Sequence, residues 1–262
     1  MPVSKSLKID ERRKRILEIL ARDGKVKVSD LAEELNATPV TIRSDLANLG
    51  QNGYLERTSG GAVQTIKNFY NLESHHRRQE HIYEKKLIAG RTADLIHDGE
   101  TLFINSGTTT YYTAVELKRR KNLNIVTNSL MAAMELGDVP SFRVILLGGE
   151  INTQYSFTYG AGVLDQLRLY RADRTILSMD GISAAAGLTT YHADESMVNK
   201  TMIERSSETI IVADSSKIGN ESFSFVAGIS AAAVLVTVCG GEEPAHLAEL
   251  EKSGLRVIRC AQ

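Results

Sequence analysis

The sequence predicts a small α+β domain followed by a larger α/β domain with a mainly parallel, Rossmann-like sheet. Residues 28–63 have the pattern of two short helices, a tight turn and a glycine-rich hairpin, and beyond residue 81 short apolar runs alternate with amphipathic segments. The chain has 262 residues, 42% hydrophobic and 24% charged, which suits two globular domains. We expect residues 1–63 to form the first domain, 64–80 a linker and 81–262 the second.

The first helix follows a polar tail that ends near Lys8. Asp10 is the predicted N-cap, and Gly24 ends the helix. The segment Val26–Val28 predicts a short strand that pairs with the later hairpin. Helical spacing predicts an apolar stripe that closes the core of this domain, formed by Ile16, Ile19 and Leu20.

Two more helices follow in close succession. Ser29 is placed to cap the first of them. After a turn at Asn36–Ala37, Thr38 offers a hydroxyl cap and Pro39 takes the first helical position of the second helix, where its missing N–H costs nothing. The spacing of the second helix turns three apolar residues toward the core: Ile42, Leu46 and Leu49.

The outward face of that second helix carries polar side chains, and a glycine-rich turn between two short strands follows it. This is the pattern of a winged helix-turn-helix, which typically places its second helix in the major groove of duplex DNA. We therefore predict a set of DNA contacts. They are Thr38, Thr41, Arg43, Ser44 and Asn48 on the helix, Arg57, Ser59 and Gly60 in the wing, and Lys25 and Lys27 before it.

The charge distribution agrees with a nucleic-acid partner, although the net charge is only -1. Residues 1–81 carry 14 Lys+Arg against 11 Asp+Glu, a balance of +3, whereas the remainder carries 17 against 21, a balance of -4. Part of the surplus is the run Arg12–Arg15, for which we expect DNA phosphate contacts.

The second of these helices, called the reading helix below, and the wing after it resemble a known family. The pattern T-x-x-T-I-R-x-D-L-x-x-L-x-x-x-G-x-L-x-R followed by G-G-A, from Thr38 to Ala62, is similar to the DNA-binding signature of DeoR-type bacterial repressors. Two positions depart from it. The family commonly has a second arginine where this chain has Ser44 and a histidine where it has Ser59, and either change alters the expected operator affinity or sequence preference.

Other classes of protein fit poorly. The N-terminus is polar and basic and no run of eighteen apolar residues occurs, so we expect a cytoplasmic protein without a membrane partner. Cys239 and Cys260 lack partners at metal-ligand spacing and are predicted to be packing thiols. The cluster His75–Arg78 is predicted to be a solvated part of the linker rather than a metal or DNA site. We expect no metal and no cofactor, and we find no Walker A, G-x-G-x-x-G, H-E-x-x-H or G-x-S-x-G motif.

A helix from His81 to His97 opens the second domain, and seven apolar runs after it predict strands. These runs are Thr101–Ile104, Asn124–Val126, Val144–Leu147, Thr175–Met179, Thr209–Ala213, Ala233–Val238 and Arg256–Ile258. The amphipathic segments between them predict helices, namely Thr109–Lys118, Ser129–Gly137, Ala193–Ser206 and Pro244–Ser253. Such alternation favours a parallel sheet covered on both faces.

Polar residues collect where these strands end, which is the edge at which parallel sheets bind ligands. A glycine turn with hydroxyls opens the helix after the first strand, and its free N–H groups suit a phosphate. A lysine can neutralise that phosphate, and amide and carboxylate groups can bond hydroxyls. The predicted effector-binding residues are Asn105, Ser106, Gly107, Thr108, Thr109, Thr110, Asn128, Asp180, Gly181, Lys200 and Lys217.

These segments also resemble the effector-binding domain of the DeoR family. INSGTTT, VTNS, LLGG, MDGIS, GLTT and VADSSK occur in that family's order over roughly residues 84–240. The resemblance implies a fold related to ribose-5-phosphate isomerase and an effector that is a phosphorylated sugar or related metabolite. The family frequently has an aspartate where this chain has Asn105, so a carboxylate role does not transfer to that position.

Two functions remain open at this point. In the first, the protein is not an enzyme but a DNA-binding regulator, a repressor of a sugar-metabolism operon. In the second, the larger domain is a sugar-phosphate isomerase with Asp180 or Glu195 as the base. For the regulator, shifting the operator-competent population from 99% to 1% needs about 5.5 kcal/mol of difference in effector binding free energy between the two states. One coupled site supplies only about 1–3 kcal/mol, so we expect a homo-oligomer, dimer or tetramer, on double-stranded operator DNA.

Overall fold

The computed structural model describes residues 9–51, 54–63, 80–238 and 245–261. The chain divides into two compact units, Met1–His76 and Arg77–Gln262. Of the predicted linker only Glu80 is among the described residues, and the cluster His75–Arg78 lies outside them, as does Cys239. Cys260 is buried in the core of the second unit, in agreement with its predicted role as a packing residue.

The first unit is a winged helix-turn-helix. Its elements are α1 Ile9–Asp23, β1 Lys25–Lys27, α2 Val28–Glu34, α3 Pro39–Gln51, β2 Glu56–Thr58 and β3 Gly61–Val63. The strands form an antiparallel sheet in the order β1-β3-β2, which confirms that the short strand before α2 pairs with the wing. The apolar residues predicted from helical spacing are buried in one core, among them Ile16, Leu20, Ile42 and Leu46.

One of the three predicted helix caps is confirmed and two are wrong. The Thr41 amide donates to Thr38 Oγ1 at 3.2 Å, so Thr38 caps α3 as expected. The helix α2 already begins at Val28, with Lys27 in the capping position, and the Ser29 hydroxyl donates instead to Asp30 Oδ1 at 2.7 Å. Ile9 already belongs to α1, so Asp10 lies within that helix rather than at its cap.

The wing approaches β1 too closely for a side chain at Gly61. A Cβ atom added at this glycine would lie 1.8 Å from the Val26 carbonyl oxygen. A Cβ atom added at Gly60 would have no neighbouring heavy atom within 4 Å. The Gly60 carbonyl accepts a hydrogen bond from the Val28 amide at 2.9 Å. The second glycine of the G-G-A motif is therefore required by the packing of the wing.

A buried ion cluster joins α1 to α3. Arg12 Nε lies 2.6 Å from Asp45 Oδ2, and Arg13 Nε lies 3.0 Å from Asp45 Oδ1. Asp45 is 2% exposed and Arg12 is 7% exposed. Two members of the basic run at 12–15 therefore hold the domain together, and the expectation that this run contacts DNA phosphates is corrected for them.

Replacing Asp45 with alanine should strongly destabilise the first unit, because it leaves two arginines near a core without their partner. Breaking a buried pair in this way costs about 3–5 kcal/mol. Hydrogen exchange of the full-length chain should show amides of α1 and α3 exchanging about 100-fold faster or more. Glu18→Ala removes an exposed partner of Arg15 and should cost only about 0–1 kcal/mol. Equal protection in the two variants would contradict this role for Asp45.

The second unit is built on a seven-stranded parallel sheet. Its strands are β4 Thr101–Ile104, β5 Asn124–Thr127, β6 Arg143–Leu146, β9 Ala172–Leu177, β12 Ser206–Val212, β14 Val234–Val238 and β15 Arg256–Cys260. Their order is β15-β14-β12-β9-β4-β5-β6, and every neighbouring pair is parallel. All seven strands predicted from apolar runs are present in this one sheet.

Helices cover both faces of the sheet. They are α4 Ile82–Asp94, α5 Thr108–Leu117, α6 Leu130–Gly137, α7 Ala161–Leu167, α8 Ala193–Glu204 and α9 Ala245–Lys252. Successive residues of β4 enter different cores, since Leu102 and Ile104 pack in one cluster and Phe103 in the other. This two-sided burial explains why the strands are continuous apolar runs.

Several short elements were not predicted from the sequence. They are the hairpin β7 Glu150–Asn152 and β8 Phe157–Tyr159, the helix α7, and a small antiparallel sheet of β10 Gly181–Ser183, β11 Gly187–Thr190 and β13 Ser224–Ala227. Strands of three or four residues are too short to show a clear alternation. The hairpin follows β6 and the small sheet follows β9, so both begin at the carboxyl edge of the main sheet.

Candidate functional site

The predicted DNA contacts on α3 lie at its surface. Arg43 and Ser44 are exposed, and Thr41 and Asn48 are half-buried. The Thr38 and Thr41 hydroxyls are 2.9 Å apart and bond to each other, so Thr38 caps the helix and also positions Thr41. The outward face of α3 thus combines one guanidinium with neutral hydrogen-bonding groups.

The wing carries the other predicted contacts on two different faces. Lys25 and Lys27 are exposed on the outer face of the wing sheet, on either side of the buried Val26. Arg57 pairs with Ala62, which in turn pairs with Val26, so its side chain starts from the opposite face. The turn residues Ser59 and Gly60 are exposed between the strands.

The stem of Arg57 reaches α3. A Cβ atom added at Gly50 would lie 3.4 Å from Arg57 Cγ. The wing arginine is therefore braced against the end of the reading helix, whereas Lys25 and Lys27 are separate from it. The exposed cations of this unit that can contact DNA phosphates therefore come from three elements: Arg43 from α3, Arg57 from β2, and Lys25 and Lys27 from β1.

In the second unit, Asn105 connects three segments at the carboxyl edge of the sheet. Its Nδ2 atom donates to the Ser178 carbonyl at 3.0 Å and to Asn199 Oδ1 at 3.1 Å, and its Oδ1 atom accepts from the Ser178 amide at 3.0 Å. The side chain is fully buried. Asn105 therefore fixes the ends of β4 and β9 and the helix α8 relative to one another.

The glycine turn that follows is tightly held. Gly107 has a φ of 156°, and a Cβ atom there would lie 2.0 Å from Ser178 Oγ. The Thr110 hydroxyl is shared between the carbonyls of Asn105 and Gly107, at 3.0 and 3.1 Å. The first helical hydrogen bond runs from the Tyr111 amide to the Gly107 carbonyl, so the amides of 108–110 lie at the positive end of α5.

Two carboxylates lie beside this turn. The Ser106 hydroxyl donates to Glu195 Oε1 at 2.9 Å. The Thr190 hydroxyl is shared between Glu195 Oε2, at 3.3 Å, and Asp180 Oδ2, at 3.1 Å. The Tyr191 amide also donates to Asp180 Oδ2, at 2.9 Å. The predicted residues Ser106 and Asp180 thus belong to one hydrogen-bonded group.

The helix α8 supplies a polar stripe that the sequence analysis missed. Glu195 and Asn199 are four positions apart in α8 and lie on one face of it, and His192 immediately precedes the helix in the N-cap position. From the sequence, Glu195 is a candidate only as the base of the isomerase alternative. The spacing was visible in the sequence, but apolar periodicity alone does not mark a polar stripe turned inward.

Asn128 lies against the hairpin. Its Nδ2 atom donates to the Thr158 carbonyl at 3.1 Å. The hairpin also brings the Tyr155 ring to 4.3 Å from the His192 ring. Within the described ranges, Asn128 Oδ1 and His192 Nε2 are buried and have no hydrogen-bond partner. The hairpin therefore encloses one end of the site with polar atoms that can still accept or donate.

Two lysines lie at the end of β12. Lys217 is half-buried in a turn that begins with the side chain of Asp214 accepting from the Ser216 amide at 3.1 Å. Lys85, in the first turn of α4, is 5% exposed, with its Nζ atom 4.0 Å from Asp214 Oδ2. Burial lowers the pKa of Lys85, the nearby Lys217 charge lowers it further, and Asp214 opposes both.

Lys85 was not among the predicted site residues. It precedes the apolar stripe of α4 by three positions, so helical spacing turns it toward the sheet with Ile88. The sequence feature that could have identified Lys85 is its position, as a lysine, on the buried side of an amphipathic helix.

Lys200 and Gly181 occupy positions less suited to an effector. Lys200 is exposed and follows Asn199, so the helix turns it about 100° from the polar stripe. Gly181 is buried in β10, where a Cβ atom would lie 2.5 Å from Thr189 Oγ1. Packing against β11 accounts for this glycine.

The described parts of the chain contain no cluster of three or more His, Cys, Asp or Glu side chains arranged to hold a metal ion. None of the helices described there is long and apolar enough to cross a membrane.

Among solved structures, distant similarities include an isomerase. Ribose 5-phosphate isomerase from Plasmodium falciparum is 18% identical over 51% of this chain and 51% of that chain, with a TM-score of 0.38. A similarity at that level supports no conclusion about this chain, and the relation to that fold stays an expectation.

Comparison of the sequence with known proteins is more informative. Residues 12–67 match the DeoR-like helix-turn-helix domain, and residues 80–238 match the DeoR C terminal sensor domain. The Escherichia coli (strain K12) glycerol-3-phosphate regulon repressor is 34% identical over 224 residues, covering 86% of this chain and 88% of that protein.

Two Bacillus subtilis (strain 168) proteins are also similar. The HTH-type transcriptional repressor GlcR is 31% identical, covering 87% of this chain and 88% of that protein. The HTH-type transcriptional regulator YulB is 32% identical, covering 95% of this chain and 96% of that protein. Both domains and nearly the full length are thus matched, and the chain belongs to the DeoR family of helix-turn-helix transcriptional regulators.

Proposed function

We propose that this protein is a homo-oligomeric repressor of a sugar-metabolism operon whose second unit binds a phosphorylated sugar or a related phosphorylated metabolite. The observation that carries the effector class is the carboxyl edge of the sheet, where the first-turn amides of α5 and two lysines lie near the ends of nearby strands. Relatives named as repressors, one of them of the glycerol-3-phosphate regulon, support the same class.

In this proposal the phosphate binds the turn at Gly107–Thr109. Backbone amides at the positive end of a helix favour an anion. The end of β12 lies two strands from β4, about 10 Å away. Lys85 and Lys217 at that end provide positive charge for the phosphate group. Burial lowers the pKa of Lys85, and a bound phosphate would oppose that shift by favouring the charged form.

The unphosphorylated part of the effector faces polar groups that suit hydroxyls. Asp180 and Glu195 accept hydrogen bonds, and Asn128 Oδ1 and His192 Nε2 are buried atoms that lack a partner in the described ranges. Asn105 and Thr110 support the turn, because their polar atoms bond the protein itself. Gly181 is a packing residue, and Lys200 is left out of the effector site.

The first unit binds operator DNA through the ten predicted residues on α3, β1 and the wing. In a winged helix-turn-helix domain, the reading helix contacts base edges and basic residues contact phosphates. Ser44 and Ser59 replace side chains that are commonly basic or ionisable in the family. Base contacts should therefore depend mainly on Thr41, Arg43 and Asn48.

An isomerase is the second candidate, because Asp180 and Glu195 are carboxylates that share the Thr190 hydroxyl at the same edge. The two functions predict different results with aldose and ketose phosphates. A sensor should bind one of them without interconverting it, and purified protein should give only the uncatalysed rate. Turnover that is lost in Glu195→Gln would instead establish the enzyme.

Replacing Arg43 with alanine should weaken binding to an operator selected from a random DNA library with the full-length protein. A lost base contact costs about 1–3 kcal/mol and relaxes preference at one position, whereas a lost phosphate contact reduces the salt slope by about 1. Fluorescence anisotropy at several salt concentrations separates the two. Arg22→Ala, which removes an exposed arginine paired with Asp23, should behave as wild type. Unchanged affinity in Arg43→Ala would remove it from the interface.

Replacing Lys85 or Lys217 with methionine should remove the response to a phosphorylated ligand and leave operator affinity intact. A ligand that binds only the native state raises the melting temperature, so thermal shifts with triose, pentose and hexose phosphates, and with inorganic phosphate, report binding. Lys86→Met is the matched control, since Lys86 is exposed on the same helix. If the Lys85 and Lys217 variants kept the full shift, the proposed phosphate position would be wrong.

A further inference from the structure

One end of the small antiparallel sheet has three aromatic side chains turned outward. Its inner residues, including Ile182, Leu188 and Val226, are buried in the core of the second unit. On the outside, Tyr191 is 64% exposed, Phe223 is 84% exposed and Phe225 is 64% exposed. These three residues are called the aromatic face. Exposed aromatic side chains in such a group mark an interaction surface more often than a chance arrangement.

The strand register places the three residues next to one another. β11 and β13 are antiparallel with Thr190 opposite Ser224, so the next residues outward, Tyr191 and Phe223, are also neighbours. Phe223 and Phe225 are two positions apart and belong to the same side of the strand. The aromatic face is therefore continuous along one end of the small sheet.

A backbone carbonyl on the free edge of β13 already accepts a hydrogen bond from α8. The Ser196 hydroxyl, in the first turn of α8, donates to the Phe225 carbonyl at 2.6 Å. A partner that added a strand at this edge would have to break that bond. The aromatic rings, rather than the backbone, are what this surface offers to a partner.

We propose that the aromatic face is the surface on which a second copy of this chain docks, related by a twofold axis. Taking about 200 Å² for each aromatic side chain, the exposed fractions leave about 400 Å² of ring surface. A stable dimer buries about 800 Å² from each partner. The aromatic face thus supplies the apolar centre of such an interface, and a polar rim supplies the remainder.

The rim has charges of both signs, which favours a second copy over a strongly charged partner. Lys200 lies one helical turn after Ser196 and is exposed on the side of α8 next to β13. Glu221 is exposed two residues before Phe223. A twofold axis through the aromatic face lets Glu221 of each copy meet Lys200 of the other, since an isologous interface is complementary to itself.

The aromatic face is also joined to the candidate effector site, a link that rests on the proposed function. The Tyr191 amide donates to Asp180 Oδ2, and the hydroxyl of the preceding residue, Thr190, bonds Asp180 and Glu195. An effector that forms hydrogen bonds with these carboxylates changes the hydrogen bonds that hold the Tyr191 backbone. The same segment therefore connects ligand binding with the association of two copies.

Sedimentation velocity of the full-length chain, without DNA or phosphorylated ligand, tests the docking surface. The wild type should form a dimer or a larger oligomer, and a Phe223→Ser/Phe225→Ser variant should dissociate at about tenfold higher concentration or more. Leu169→Ser is the matched control, because Leu169 is 77% exposed and precedes the opposite, amino end of β9. A monomeric wild type, or a double variant that associates like the wild type, would overturn the proposal.

A charge exchange tests the twofold arrangement without touching the rings. Glu221→Lys and Lys200→Glu should each weaken association, and the two together should restore it, because the pair is re-formed with reversed charges. Failure of the combined variant to recover would overturn this arrangement. Neither experiment uses DNA or an effector, so either can fail while the repressor proposal holds, and the reverse is equally true.

Discussion

The Asn105 side chain is the contact on which the second unit's site depends. Parallel strands bring their carboxyl ends to one edge, but the edge is useful only if the loops beyond it are fixed. Asn105 bonds the end of β9 and the helix α8 through three hydrogen bonds while fully buried. With that amide in place, Gly107 can pack against Ser178, and α5 starts where its amides face the site.

The first unit depends on a different buried contact, that of Asp45 with two arginines. Asp45 uses Arg12 and Arg13 internally, so fewer cations face DNA than the sequence count indicates. A head with a modest positive surplus and serines at positions 44 and 59 should bind weakly alone. In the proposed homo-oligomer, pairing two DNA-binding units through the second unit would raise the effective concentration of each for its half-site. The aromatic face and the reading helix would then contribute to one operator affinity.

The parts predicted correctly are those that the local sequence determines. Buried parallel strands are apolar throughout, so all seven were visible, and the turn before α3 was visible from Thr38 and Pro39. Roles that depend on distant partners were not. The sequence predicts Asn105, Thr110 and Lys200 as effector contacts, but only the fold shows that Asn105 and Thr110 bond the protein and that Lys200 is exposed beside the buried Asn199. Lys85 was missed because its relation to Asp214 crosses 129 positions of the chain.

The departure of Asn105 from the family's usual aspartate can be understood from the same contact. An aspartate here would accept from the Ser178 amide as Asn105 does, but it could not donate to the Ser178 carbonyl or to Asn199 Oδ1. The Nδ2 atom of Asn199 is buried and has no partner in the described ranges. Rotating that amide would present a donor to an aspartate, and only the bond to the Ser178 carbonyl would be lost. Asn105 and Asn199 therefore form a matched pair, and the asparagine gives this chain a neutral support where the family resemblance implies a frequent aspartate.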